Sequence, residues 1–175
     1  MNEENYNFSS GVILGRSTPA PWRDTTSSLK MEIYRRTLLI RGNCYPFSLN
    51  LSPVKLLAAQ SGNTNISSYF RRAINQSLIR RLGRKVEFTF ALDVANKSNR
   101  IHIHGFIGIG ESEYDNAISA LRLAGGKWLS AGGQRHQVKI VLQNADEGWT
   151  VYMMRGQRKV IRQLRTERTI ACTSQ

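Results

Sequence analysis

A chain of 175 residues with 41% apolar content is long enough for one domain with a core of its own and short for two. Its 25 Lys and Arg against 12 Asp and Glu give a net charge of +13 and a pI near 10.4, an excess that favours a polyanionic partner through phosphate neutralisation and counterion release. The two cysteines, Cys44 and Cys172, form no C-x-x-C pair, which argues against a disulfide scaffold or a cysteine zinc knuckle. No apolar run approaches the ~20 residues needed to cross a bilayer, and the polar start Met1–Phe8 does not read as a signal peptide, so a cytoplasmic protein with no membrane partner is expected.

Residues 1–28, rich in Asn, Ser, Thr and Pro, carry no sustained periodicity and read as a flexible N-terminal arm; residues 29–175 then form a single domain. Lys30–Arg41 is compatible with a short helix or a strand. Phe47–Leu51 alternates apolar and polar residues as a strand does, and Pro53 with the Ser61-Gly62-Asn63 cluster interrupts it. Ile66, Phe70, Ile74, Leu78 and Leu82 recur four apart, an apolar helix stripe that Gly83 stops. Arg71, Arg72, Arg80 and Arg81 make that helix basic, and they are candidate nucleic-acid contacts.

Lys85–Val94 alternates with Val86, Phe88, Phe90, Leu92 and Val94 on one side and Glu87, Thr89, Ala91 and Asp93 on the other. A polar link leads into a second strand, Arg100–Ile109, and the two runs read as an antiparallel hairpin. Glu113–Leu123 is an amphipathic helix ended by Gly125-Gly126, Gln137–Leu142 a fourth strand, and Glu147–Arg165 a third helix. The order β-α-β-β-α-β-α predicts an α+β fold: the split β-α-β, ferredoxin/RRM-like arrangement, with an antiparallel sheet, helices on one face and the active site on the open face.

That face carries the chemistry. His102 and His104 are two of the three histidines; one residue apart on a strand, they project together, while Ile101, Ile103 and Phe106 are assigned to the core or edge. Two imidazoles make half of a divalent-metal site. Asp93, facing the same way near the hairpin end, is the expected third ligand, with Glu87 as the alternative at the far end of its strand. A His-His-carboxylate set suits Mn²⁺ or Mg²⁺ with a phosphate oxygen completing it. His136 reads as a surface residue.

At ~100° per residue, Met153, Met154, Val160, Ile161 and Leu164 form the core side of the third helix, while Tyr152, Arg155, Lys159 and Arg162 share the opposite, cationic side, with Arg158 a further basic contact. Tyr152 is therefore not placed like a core tyrosine; Tyr114 and Tyr69 are. A tyrosine hydroxyl beside cations that hold a phosphodiester is a candidate nucleophile at phosphorus.

Together these residues resemble the HUH endonucleases, the rolling-circle replication initiators, relaxases and single-strand transposases. The family signature, His-hydrophobic-His, stands here as His102-Ile103-His104. It is followed on a later helix by a tyrosine with a basic residue three positions on, usually Tyr-x-x-Lys and here Tyr152-Met153-Met154-Arg155. The single tyrosine is closest in pattern to the small replication initiators, and Phe47–Pro53 matches the family's first strand motif loosely. The resemblance implies metal-dependent nicking and joining of single-stranded DNA through a 5′-phosphotyrosyl link, at a hairpin or origin of a plasmid, phage or mobile element. Tyr152, Arg155 and Lys159 would be catalytic, and His102, His104 and Asp93 would hold the metal. With the tyrosine helix close to the last residue, a helicase and polymerase are expected from the host or a partner chain. Arg155 departs from the usual lysine, and a compact ammonium is not replaced by a planar guanidinium without change. The competing reading is a non-catalytic nucleic-acid-binding module, or a retired nuclease acting as a DNA-binding regulator. The open face opposes the first of these, since it carries acidic groups and histidines where such modules stack bases on aromatics.

Overall fold

Alternation in the two hairpin runs builds the middle of a five-stranded antiparallel sheet. The computed structural model describes residues 26–95, 98–166 and 168–173. The strands are β1 (Tyr45–Asn50), β2 (Phe88–Val94), β3 (Ile101–Ile107), β4 (Val138–Ile140) and β5 (Ile170–Cys172), in the order β4-β1-β3-β2-β5. The first four reproduce the expected split arrangement. β5, which adds to the outer edge of β2, was not expected from the sequence, because three residues are too few to show an alternation.

One face of the sheet carries Phe47, Leu49, Phe88, Phe90, Leu92, Ile101 and Ile103 into the main core. Over it pack α3 (Ile66–Leu82) and α4 (Tyr114–Gly125), α3 burying Ile66, Phe70, Ile74 and Leu78 as its stripe predicts, and a short α5 (Ala131–Arg135) leads from α4 into β4. Asn65 caps the start of α3, and Gly83 ends it with φ of 69°, a left-handed turn that a side chain would strain. Tyr69 and Tyr114 lie half-buried against this core, as expected. The segment after β1 is a helix, α2 (Pro53–Ser61), rather than a break: Ser52 Oγ accepts from the Lys55 N–H at 3.2 Å, and Pro53 occupies the first turn, where its missing donor costs nothing.

The opposite face departs from the expectation of an open surface. α1 (Ser27–Arg41) and α6 (Glu147–Met154) lie across part of it, and Met31, Leu38 and Met153 bury Cys44, Ala91 and Phe106 in a second, smaller core. Phe106 is thus on the histidine side of β3, as its even spacing from His102 and His104 requires, and not in the main core. The ambiguous segment is a helix because Thr26 caps it (Leu29 N–H to Oγ1, 3.3 Å) and because Met31, Arg35 and Leu38 fall on one buried stripe. Thr26, Ser27 and Ser28 are therefore cap and first turn, not arm; residues 1–25 lie outside the described residues.

Arg35 is the unusual member of that stripe. Its guanidinium donates to the Ala145 carbonyl at 2.9 Å and forks onto Glu32 at 2.6 and 2.8 Å, and Glu32 also accepts from Thr150 of α6 at 3.2 Å. The hydrogen bond from Arg35, outweighing burial, holds the Glu32 carboxyl down at about 2. A carboxyl depressed by folding contributes stability that is complete above its ordinary value and is lost as pH falls through the folded one. The Glu32→Gln variant is expected to show a shallower loss of melting temperature than the parent between pH 4.5 and about 2.

The expected third helix is broken. α6 ends at Met154, Arg155 and Gly156 intervene, and α7 (Gln157–Leu164) runs on along β2. Met153 is buried in the second core and Val160 in the main one, whereas Ile161, assigned to the core side, is 39% exposed. Among the described residues no helix is long and apolar enough to cross a membrane.

Candidate active site

Strand register assembles the centre. Asp93 of β2 pairs with His102 of β3, and Ser48 of β1 pairs with His104. Asp93 Oδ2 lies 3.3 Å from His102 Nε2 and 3.6 Å from His104 Nε2, and one ligand atom from each of the three lies within 4.8 Å of the others. The near position of Asp93 follows from the antiparallel hairpin, as the sequence predicts. Glu87, the alternative, is at the other end of the strand, ion-paired to Arg41.

The donor set fits a cation. His102 Nδ1 is 3.3 Å from the Arg100 carbonyl, which can only accept. In the tautomer protonated at Nδ1, the Nε2 lone pair would face the carboxylate, 3.3 Å away. His104 Nδ1 is 2.8 Å from Ser48 Oγ, and its Nε2 is buried with no hydrogen-bond partner among the described residues. Two imidazole nitrogens and a carboxylate oxygen converge here, and a divalent ion would be held by the Nε2 atoms of the neutral rings together with the carboxylate. Burial, with the charges of His102 and Arg155 adding, pushes His104 down to about 4, against the pull of Asp93. Burial raises Asp93, but the hydrogen bond from His102 and the Val94 N–H at 2.8 Å outweigh it, so the carboxyl sits below its ordinary value. Neutral imidazole and ionised carboxylate are the ligating forms.

α6 brings Tyr152 to this centre. Its ring stacks on Trp149 (centroids 5.0 Å, 19°) and lies 4.9 Å from the His104 ring, and the Trp149 indole donates to the Gly105 carbonyl at 3.2 Å. Tyr152 is half-buried between the Asp93–His102–His104 cluster and the cations, with the Arg155 guanidinium 3.9 Å over its ring. A cleft of about 530 Å³ opens here, lined by Asp93, His102, Tyr152, Arg155, Arg158 and Lys159. Three of the expected cations are thus at the cleft. Arg162 is exposed further along α7, its Nε against the Arg158 carbonyl at 3.4 Å. Arg80 and Arg81 are exposed in the last turn of α3, and Arg71 and Arg72 line a separate groove with Lys85 and Glu87.

Three contributors escaped sequence reasoning. Ser48 is recognisable only once β1 is paired with β3. Trp149 lies three residues before Tyr152 and so on the same side of the helix, a spacing that was available. Gly156 sits where a Cβ would run into Asp93 Oδ1, and a glycine inside a periodic helical run was the signal.

If Asp93 is an inner ligand, Asp93→Ala should weaken Mn²⁺ binding beyond the ~10–100-fold loss typical of an outer partner, whereas Glu87→Ala should leave it unchanged. The readout is the Mn²⁺-induced rise in melting temperature, and the opposite ranking would move the ligand.

Comparison with protein-family models, with curated proteins and with solved structures found no match to this chain.

Proposed function

We propose that this protein is a metal-dependent endodeoxyribonuclease and strand transferase that nicks and rejoins single-stranded DNA, with Tyr152 as nucleophile. The observation that carries the reading is the seat of Tyr152, its ring 4.9 Å from His104 at the edge of the Asp93–His102–His104 cluster and inside a cation-lined cleft.

In this reading Arg155, Arg158 and Lys159 hold the phosphodiester, Arg155 by a two-pronged grip on its oxygens. Asp93, His102 and His104 would hold Mn²⁺ or Mg²⁺, which supplies Lewis acidity toward a non-bridging phosphate oxygen. Tyr152 Oη forms a bond to phosphorus as the bond to the 3′ oxygen breaks; the phenolic proton passes to solvent and the departing 3′ oxygen takes one up. The phosphotyrosyl ester keeps the energy of the broken bond, so the 3′ hydroxyl reverses the step and reseals the strand. Trp149 fixes the Tyr152 ring by stacking, and Ser48 fixes the His104 ring through Nδ1, so each acting group is held by a second contact. A hairpin-bearing origin is the proposed substrate, with a host helicase and polymerase as partners.

The test is incubation with end-labelled single-stranded oligonucleotides drawn from hairpin origins, with Mn²⁺, resolved on a denaturing gel. The expected result is a covalent protein–DNA band, abolished by EDTA and carrying the label of one end. A DNA-binding regulator derived from such an enzyme is the second reading, favoured by the Arg155 guanidinium covering the Tyr152 ring. It predicts tight, salt-dependent binding with no covalent band on any hairpin of the pool.

A further inference from the structure

Beside the metal centre, one strand over from His102, lies a second hollow that the nicking reaction leaves unused. Asn50 of β1 pairs with His102 across the ladder and starts this hollow, and Ala95 lines both it and the catalytic cleft. Its volume is about 300 Å³, and Arg100, Trp128, Ser130 and His136 contribute to its walls.

Trp128 gives it a flat apolar wall. The indole packs on the backbone of Gly133, where an added Cβ would sit 2.5 Å from the ring, so the glycine is what lets the ring settle there. Gln134 Nε2 donates to the Trp128 carbonyl at 3.0 Å and steadies the segment. The Arg100 guanidinium lies 5.7 Å from the ring centroid. The indole Nε1 is buried and has no hydrogen-bond partner among the described residues. A planar aromatic wall with an adjacent guanidinium is a feature by which proteins hold an unpaired nucleobase, whose π-face stacks on the ring.

We infer that the hollow at Trp128 is a nucleobase subsite, which receives an unpaired base of the strand whose phosphodiester lies in the neighbouring cleft. The inference rests on single-stranded DNA as the ligand of that cleft, and not on the nicking chemistry. One strand spans both places because they share Ala95. The base held at Trp128 fixes how the strand is threaded past Tyr152, and the subsite discriminates paired from unpaired DNA, since a base within a duplex presents no free face.

The test compares two fluorescent probes in EDTA, an oligothymidylate of about 12 nucleotides and an abasic strand of equal length, so that backbone charge is constant and bases differ. The parent protein is expected to prefer the thymidylate by about tenfold. Trp128→Ala should reduce that preference to near unity and leave abasic binding unchanged, while Trp128→Phe retains most of it. A preference that survives in Trp128→Ala, or that the parent lacks, overturns the subsite. Should Trp128→Ala not fold, photocrosslinking of the parent to a 5-iodouracil strand decides: a crosslink to the Trp128 peptide supports the inference, and crosslinks confined to other peptides overturn it. The covalent-band assay reads the nicking reaction separately, so loss of either result leaves the other interpretable.

Discussion

Tyr152→Phe is expected to lower formation of the covalent protein–DNA band by about a thousandfold or more, the scale seen when a nucleophile is removed from a preorganised site. The substitution is conservative for everything else on the ring. Phenylalanine keeps the stack on Trp149, the contact with His104 and the cation–π contact from Arg155. Melting temperature, Mn²⁺-induced stabilisation and affinity for uncleaved strand are therefore expected to stay close to those of the parent. Rates from a denaturing gel and affinities from a native gel separate the two quantities. An adduct that forms at the parental rate would assign the nucleophile to another residue.

Gly156→Ala is expected to damage the proposed metal centre without replacing any of its three proposed ligands. The added methyl would meet Asp93 Oδ1, with Cγ only 2.8 Å away. The carboxylate is not free to swing aside, because Oδ1 also accepts the Val94 N–H at 2.8 Å. The backbone of Gly156, at φ −89° and ψ −1°, suits alanine, so the effect is steric and not conformational. Overpacking of this kind costs about 1–3 kcal/mol, and nothing offsets it at the N-cap of α7, where glycine is preferred to alanine. The expected outcome is a modest loss of metal-free stability and a loss of at least about tenfold in Mn²⁺ affinity, read from melting curves across a Mn²⁺ titration. An unchanged affinity would mean that Asp93 does not ligate, or that α7 shifts to make room.

How far the sequence disclosed this arrangement varied with the physics of each part. The hairpin was legible because β2 and β3 alternate strictly, and parity with antiparallel pairing then brought Asp93 rather than Glu87 to the histidines. α3 was legible because its stripe is wholly apolar. α1 was not, because Arg35 occupies the middle of the buried stripe and is satisfied by Glu32 and a distant carbonyl, partners that no periodicity reveals. That omission hid the cover on the second face, and with it the true place of Phe106. The break at Arg155–Gly156 was missed because a single glycine hardly disturbs a helical pattern; its reason is a carboxylate more than sixty positions earlier in the chain.

The margins of the sheet have a further consequence. β4 and β5 are each three residues long, and the middle residue of β4 is the exposed Lys139. A neighbouring molecule seeking to extend the ladder would find few free amides and carbonyls at either margin, and at one of them a charge to desolvate. Self-association through strand addition is therefore disfavoured in the native state. Aggregation on heating should begin with detachment of a margin, which bares the longer β1 or β2, and not with docking onto the intact sheet.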